Sequence, residues 1–480
     1  MGLDGVNKDV LKFIGLKPRV ELTMVSTIPP YTPPAWTSIL TGVNPGWHGI
    51  YSFIKYTHGI EKLNTSFDVR FPRLFEMLAM NGLKSVVINV PFTYPFNALI
   101  CRDKYVIVSD WASPVQSIWP QRLKNKYREY LVKPPHGFTL ERSLSNSEMS
   151  VKDYVNRIHE YLKIRINLYY ELFDEYDWSL FFIVFSETDW LLHRIPELLR
   201  GKAVNIAQPV FNLIRGFIEH VCERCNLTLI VSDHGFEHKR LRVNVNAFLA
   251  SKGLLKYGYV IGKNASSKRL FGKRKRGLIT LPVRRLLRIL PDNVLSIFKG
   301  AFVREIFRAS TLVDLKRSVA FMGESGSWSV YVPKGSYIEQ VSNVLKTVPG
   351  VSKVVKARNV YRGPYVSRGP QLITIPRKGV ELTNGLHGDI VKPINRGGHE
   401  VHGVLAAMGD YEVEPNKIFV TVFDVVPTVL SYLGLPLPEI CEGTPLFSQA
   451  KRTEHRRFRY LTLFKKIRYS LRYKSIKPSS

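Results

Sequence analysis

The chain has 480 residues, with 69 Lys and Arg against 39 Asp and Glu, a formal net charge of +30 and a pI near 9.9. A hydrophobic content of 45% excludes a disordered chain. No apolar run reaches the roughly 18 residues that a spanning helix needs, and no basic-then-apolar leader opens the sequence, so a cytoplasmic protein is expected.

The excess of positive charge favours polyanionic partners: phosphorylated substrates, an anionic membrane surface or, less favoured, nucleic acid. Four cysteines in so long a chain argue against a disulfide scaffold. Cys222 and Cys225 form one Cys-x-x-Cys without a second ligand pair, and Cys101 and Cys441 stand alone, so ordinary helix positions are expected for the pair.

In chain order, Gly2-Leu3-Asp4-Gly5 opens with a carboxylate suited to a metal. Thr32 follows in a Pro-rich turn, Ile28-Pro29-Pro30-Tyr31-Thr32-Pro33-Pro34, where a stiff backbone could present its hydroxyl as a nucleophile. Taken without the surrounding ligands, Thr32, Thr37, Ser38 and Thr41 read as turn and helix-cap residues. The runs 84–91, 178–186, 227–232 and 418–423 read as buried strands, and 71–81, 151–175 and 203–222 as helices. Strands alternating with helices predict an α/β fold with a mainly parallel central sheet covered on both faces. Asp189, Asp233 and His234 fall just after predicted strands, where open α/β sheets place their sites. His193 lies four residues after Asp189, which puts both on one side of a helical turn.

Residues 251–330 are expected to form a basic helical insertion or cap, with Lys268-Arg269, Lys273-Arg274-Lys275-Arg276 and Arg284-Arg285 among apolar positions. Residues 328–361 return to β-like and helical patterns, and 364–392, rich in Gly and Pro, is expected to be irregular. Residues 451–480 form a basic tail in which Phe458, Leu461, Phe464, Ile467 and Leu471 recur at helical spacing. Such an element either lies on a membrane surface or packs with a solvated basic face. The catalytic unit is then 1–250 together with 331–450.

Asp and His are the ligand types that a pair of divalent ions about 4 Å apart needs for phosphoryl chemistry, and Asp/His mixtures favour zinc or manganese over calcium. Three pieces of sequence are specific: Thr32-Pro33-Pro34-Ala35-Trp36-Thr37-Ser38-Ile39-Leu40-Thr41-Gly42 with His48-Gly49-Ile50 after it, Ser232-Asp233-His234-Gly235, and Gly398-His399-Glu400-Val401-His402-Gly403. In these the chain resembles the type I phosphodiesterase and nucleotide pyrophosphatase family of the alkaline phosphatase superfamily, from Gly2 to about Leu446, and is closest in wording to a predicted phosphohydrolase or phosphomutase subgroup.

The resemblance implies an alkaline phosphatase-like three-layer sandwich and a metal-dependent phosphodiesterase or phosphomonoesterase. Thr32 would be the nucleophile, passing through a covalent phosphothreonine. One metal would be held by Asp4, Thr32, Asp233 and His234, the other by Asp189, His193 and His399. Zinc is expected, with manganese the alternative.

His402 would lie outside the ligand set or be incidental, and His387 matches no ligand position. Two features depart from the family. Only Met1, Gly2 and Leu3 precede Asp4, so the first strand is either short or begins upstream. Phe53 stands where nucleotide-cleaving members carry an Asn that holds a phosphate oxygen, so nucleotide specificity does not carry over. The competing readings are a phosphotransferase or phosphomutase on the same two-metal site, and a basic membrane- or nucleic-acid-binding protein with a vestigial site.

Overall fold

In the computed structural model, which describes residues 1–57, 60–134, 149–260, 310–410, 415–447 and 457–474, the β-branched and aromatic runs become the centre of a nine-stranded sheet. Its spatial order is Val420–Thr421, Val20–Val25, His402–Met408, Thr228–Val231, Gly2–Leu3, Leu180–Phe185, Ser85–Ile88, Tyr105–Val108 and Ile118–Trp119. All run one way except His402–Met408 and Ile118–Trp119.

Side chains alternate along each strand between two cores, as a period of two residues requires. Val86, Ile88, Phe181, Ile183 and Phe185 enter one core beneath the helices Lys8–Ile14, Val151–Glu175 and Val204–Cys222. Val87, Phe182, Val184 and Val231 enter the other, beneath Thr32–Thr41, Leu74–Met80 and Val425–Tyr432. The result is an alkaline phosphatase-like three-layer α/β sandwich.

The first strand is two residues long yet central, between Leu180–Phe185 and Thr228–Val231. Gly2 is required there because a Cβ would stand 2.5 Å from the Trp36 ring. Below it the Met1 ammonium donates to the Leu229 carbonyl at 2.7 Å, beside a cavity of about 110 Å³ lined by Met1, Trp178, Leu180, Thr228, Leu229 and Val429. Burial pushes that amino group down to about 5.

A third core unites Val243, Phe248, Leu254, Phe321, Leu345 and Leu372, under the four-stranded sheet of Phe321–Met322, Ser329–Tyr331, Leu372–Pro376 and Val351–Lys356. The stretch 364–392, expected to be irregular, therefore contains the strands Leu372–Pro376 and Val380–Thr383. Its Gly and Pro residues mark the turns between short strands. The 418–423 run shortens to Val420–Thr421, with Ile418 and Phe419 exposed at 81% and 82%. Apolar character alone did not put them in a core.

The basic clusters from Lys268 to Arg285 lie outside the described residues. The tail forms the helix Tyr460–Lys474, and its Tyr460 and Phe464 are buried against the body. Cys222 closes its helix and Cys225 lies just beyond it, and all four cysteines are free. No described helix is long and apolar enough to cross a membrane.

Candidate metal centre

The predicted ligands converge at the carboxyl ends of the central strands. Asp4 follows the Gly2–Leu3 strand, Asp233 and His234 follow Thr228–Val231, and Asp189 with His193 ride the helix Glu187–Arg194 that leaves Leu180–Phe185. His399 comes from the long strand Val391–Glu400, which pairs antiparallel with Gly235–Asn244 so that His399 faces Phe236. Gly5 makes the turn after Asp4 at φ +74°, where a Cβ would also collide with the Phe236 ring at 2.4 Å.

Two groups of donors form. Asp189 Oδ1 lies 3.5 Å from His193 Nε2 and 3.3 Å from His399 Nε2. His234 Nε2 lies 3.7 Å from Asp4 Oδ1 and 3.3 Å from Asp233 Oδ2. Donor atoms of Asp189, His193 and His399 fall within 4.8 Å of one another, as do those of Asp4, Asp189 and His234, so Asp189 belongs to both groups. Exposure separates them: side chains of the first group are 12–14% exposed, those of Asp4, Asp233 and His234 at most 3%. Asp189, His193 and His399 therefore lie nearer to solvent than Asp4, Asp233 and His234.

Backbone carbonyls orient all three imidazoles. His193 Nδ1 meets Gly397 O at 3.1 Å, His399 Nδ1 meets Pro30 O at 3.1 Å, and His234 Nδ1 meets Gly235 O at 3.2 Å. A carbonyl only accepts, so each Nδ1 carries the proton and each Nε2 turns a lone pair inward. His193 Nε2 and His399 Nε2 then stand 3.1 Å apart, two lone pairs facing each other. Asp4 Oδ1, Asp189 Oδ1 and Asp233 Oδ2 are buried with no hydrogen-bond partner. Such an arrangement is costly without positive charge among the donors, and the residues fit divalent cations held by oxygen and imidazole.

Electrostatics agree with that demand. Burial, then the charges of Asp233 and Asp189, pushes the Asp4 carboxyl well above its usual range. Burial and Asp189 push Asp233 up as well. Burial also acts upward on Asp189, but the imidazoles of His193, His399 and His234 outweigh it and hold that carboxyl below the usual range. Burial keeps His234 neutral and brings His193 down to about 4.

Thr32 is the first residue of the helix Thr32–Thr41 rather than part of a preceding turn, with Pro33 pre-set for the first helical turn. Its Oγ1 lies 3.3 Å from His234 Nε2. The other hydroxyls of that helix are committed elsewhere: Thr37 donates to Pro33 O at 2.7 Å, Thr41 to Thr37 O at 2.7 Å, and Ser38 pairs with His48 Nε2 at 3.0 Å. Only Thr32 is turned to the donors.

Phe53 and His402 stay out of both groups. Phe53 packs edge-on against Tyr31 at 5.9 Å, in a cluster with Ile50, Val69 and Phe92. His402 is an exposed residue paired with Glu400 through Nδ1 at 2.6 Å. His387 lies elsewhere, edge-on to Tyr257 at 5.7 Å.

Several residues outside the predicted ligand set support it. The Ser26 hydroxyl donates to the Asp233 carbonyl. Thr188 donates to the Asp4 carbonyl at 2.6 Å, and Ser232 Oγ accepts from Val6 N at 2.8 Å while donating to His234 O at 2.7 Å. Arg396 brings its guanidinium 3.4 Å from His193 Nδ1 and 3.5 Å from Glu381.

Residues 16–404 match a family model described as type I phosphodiesterase / nucleotide pyrophosphatase. Asp4 precedes the matched range. No curated protein matches the chain. Among solved structures the chain is similar to wild-type alkaline phosphatase PafA, with a TM-score of 0.52 and 13% identity over 93% of this chain and 97% of that one. It is also similar to phosphonoacetate hydrolase from Sinorhizobium meliloti 1021 bound to phosphonoformate (TM-score 0.49, 14% identity, 89% and 94% covered). Murine ectonucleotide pyrophosphatase / phosphodiesterase 5 matches with a TM-score of 0.49 and 12% identity over 93% of this chain and 98% of that one. At 13% identity the likeness to PafA speaks of fold alone.

Proposed function

The chain belongs to the type I phosphodiesterase / nucleotide pyrophosphatase family, a family of phosphoric ester hydrolases, and from that premise we propose that it cleaves phosphoesters with Thr32 as its nucleophile. The observation that carries the reading is the convergence of the Thr32 hydroxyl, three inward Nε2 atoms and three partnerless carboxylate oxygens. Asp4, Thr32, Asp233 and His234 would hold one divalent ion and Asp189, His193 and His399 the other. The donor set suits zinc, with manganese as the alternative. Bound there, the ions supply positive charge that favours the Thr32 alkoxide and offsets charge on the phosphoryl and leaving oxygens.

Thr32 loses its proton to solvent, its Oγ forms a bond to phosphorus, and the ester bond to the leaving alcohol breaks in line. The departing alkoxide takes a proton from water. A water molecule then attacks the phosphothreonine from the vacated side and the Thr32 Oγ–P bond breaks, releasing phosphate from a monoester substrate or a phosphate monoester from a diester and restoring the hydroxyl. Helix Thr32–Thr41 points its N-terminus at this anion, and its partial positive charge assists. Phe53 and Tyr31 make the neighbouring wall apolar, which suits a phosphorylated small molecule or phosphodiester more than a phosphate held by an amide. Four free cysteines support action in a reducing cytosol.

The test is turnover of bis-p-nitrophenyl phosphate and p-nitrophenyl phosphate, with zinc or manganese restored after chelation. Parent protein should turn over with metal, and Thr32→Ala and Asp233→Ala should each lose at least a hundredfold, about 2.7 kcal/mol of barrier. The ratio of the two substrates distinguishes diesterase from monoesterase. Metal bound without turnover of either ester would point to transfer to a specific alcohol. No metal bound would overturn the proposal.

A further inference from the structure

The loop Ser66–Val69 has two faces. Inward, Val69 shares the cluster of Tyr31, Ile50 and Phe53 beside the nucleophile. The neighbouring Asn64 and Thr65 border a largely apolar cavity of about 80 Å³, lined also by Phe53, Leu63, Phe92 and Ala112. Outward, Arg468 of the tail helix donates to Val69 O at 2.6 Å and Ser66 O at 3.0 Å, fixing the end of that helix on the loop. Asp68 pairs with Lys55, which ties the hairpin of Ile54–Thr57 and Ile60–Leu63 to the same place. Tail helix, loop and hairpin thus meet on the outer surface of the wall whose inner surface bounds the candidate site.

That outer surface combines two properties. Residues 457–471 carry Arg or Lys at 457, 459, 465, 466 and 468 and no acidic residue. Lys465, Lys466 and Lys62 are exposed. Among these cations stand large apolar side chains: Tyr469 is 71% exposed, Ile60 54% and Phe67 37%. Tyr469 shares the solvent side of the helix with Lys465 and Lys466, opposite the buried Tyr460 and Phe464. A basic surface with aliphatic and aromatic side chains standing out of it is the composition that enters the headgroup and upper acyl region of an anionic bilayer.

We propose that this face docks on anionic membrane, with Ile60, Phe67 and Tyr469 entering the interface and Lys465 and Lys466 holding lipid phosphates. Docking in this way places the wall of the candidate site against the bilayer, so the inference deepens the phosphoesterase reading toward phosphoesters at a lipid surface. Nucleic acid is the weaker fit, since bases stack on aromatic rings and gain little from Ile60.

The experiment is vesicle co-sedimentation of the full chain, using phosphatidylcholine alone and phosphatidylcholine with 30 mol% (about a third) phosphatidylserine, with single-stranded oligonucleotide as competitor. Binding is expected on anionic vesicles only, weakening with salt. Tyr469→Asp and the pair Lys465→Glu/Lys466→Glu should each reduce it at least about tenfold. Lys152→Glu/Lys163→Glu, an equal charge change on the helix Val151–Glu175 over the opposite core, should bind as the parent does.

Circular dichroism and melting identify any variant that fails to fold, and the two tail variants are independent of each other. Equal binding by both tail variants, equal loss in the Lys152/Lys163 control, or preference for the oligonucleotide would overturn the proposal. Thr32→Ala protein should bind vesicles like the parent. The docking result therefore stands or falls apart from the phosphoesterase reading, which only turnover tests.

Discussion

Asp189 is the residue on which both donor groups depend. Its Oδ1 reaches His193 and His399, and it also falls within the group of Asp4 and His234. Asp189→Asn should therefore lower metal content at both positions, whereas Asp4→Asn should deplete one, as measured by elemental analysis after dialysis at limiting zinc. Equal depletion by the two variants would refute the shared role.

His48 shows how a motif residue can be structural instead. It is buried, accepts from Ile50 N at Nδ1 (3.2 Å) and so donates from Nε2 to Ser38 at 3.0 Å. Burial brings it down to about 3, below its ordinary 6.5, so it is neutral in the folded protein. The unfolded chain binds the extra proton between those values, and the stability this group contributes is present above pH 6.5 and lost as pH falls toward 3. His48→Ala should cost about 2–4 kcal/mol by denaturant melts at pH 7 and flatten part of the acid slope. Ligand types were readable at this scale because Asp and His are rare and spaced by rule. The carbonyls of Pro30, Gly235 and Gly397 were not, since every residue has one and only the fold selects which three face an imidazole.

At the scale of elements, the first strand fills a place between strands of six and four with only two residues, and Gly2 in it leaves room for the Trp36 ring.

Elements with long, regular periods were legible in the sequence: Val151–Glu175 and Leu180–Phe185 fall where the pattern places them. Short strands between glycines were not. Leu372–Pro376 is five residues long and draws its partners, Val351–Lys356 and Ser329–Tyr331, from further up the chain. Ile418 and Phe419 misled in the other direction, because hydrophobicity records the cost of exposure and not whether a neighbour exists to relieve it.

For the whole molecule, the donors come from positions 4, 32, 189, 193, 233, 234 and 399, so bound ions would tie the first strand, the Thr32–Thr41 helix and the long Val391–Glu400 strand into one unit. Anything that binds the native state alone stabilises it by mass action, about 2.7 kcal/mol for a site at a hundredfold excess over its dissociation constant. The unfolded chain cannot assemble donors separated by hundreds of residues, so this gain belongs almost wholly to the folded state. Chelation should therefore lower the melting temperature of the parent, and restoring zinc should recover it in a concentration-dependent way. Thr32→Ala should retain most of the recovery because six side-chain donors remain, while Asp189→Asn should lose more of it than Asp4→Asn. Melting that ignores both chelator and zinc would mean that the three partnerless carboxylates tolerate one another without a cation, contrary to the cost that their burial imposes.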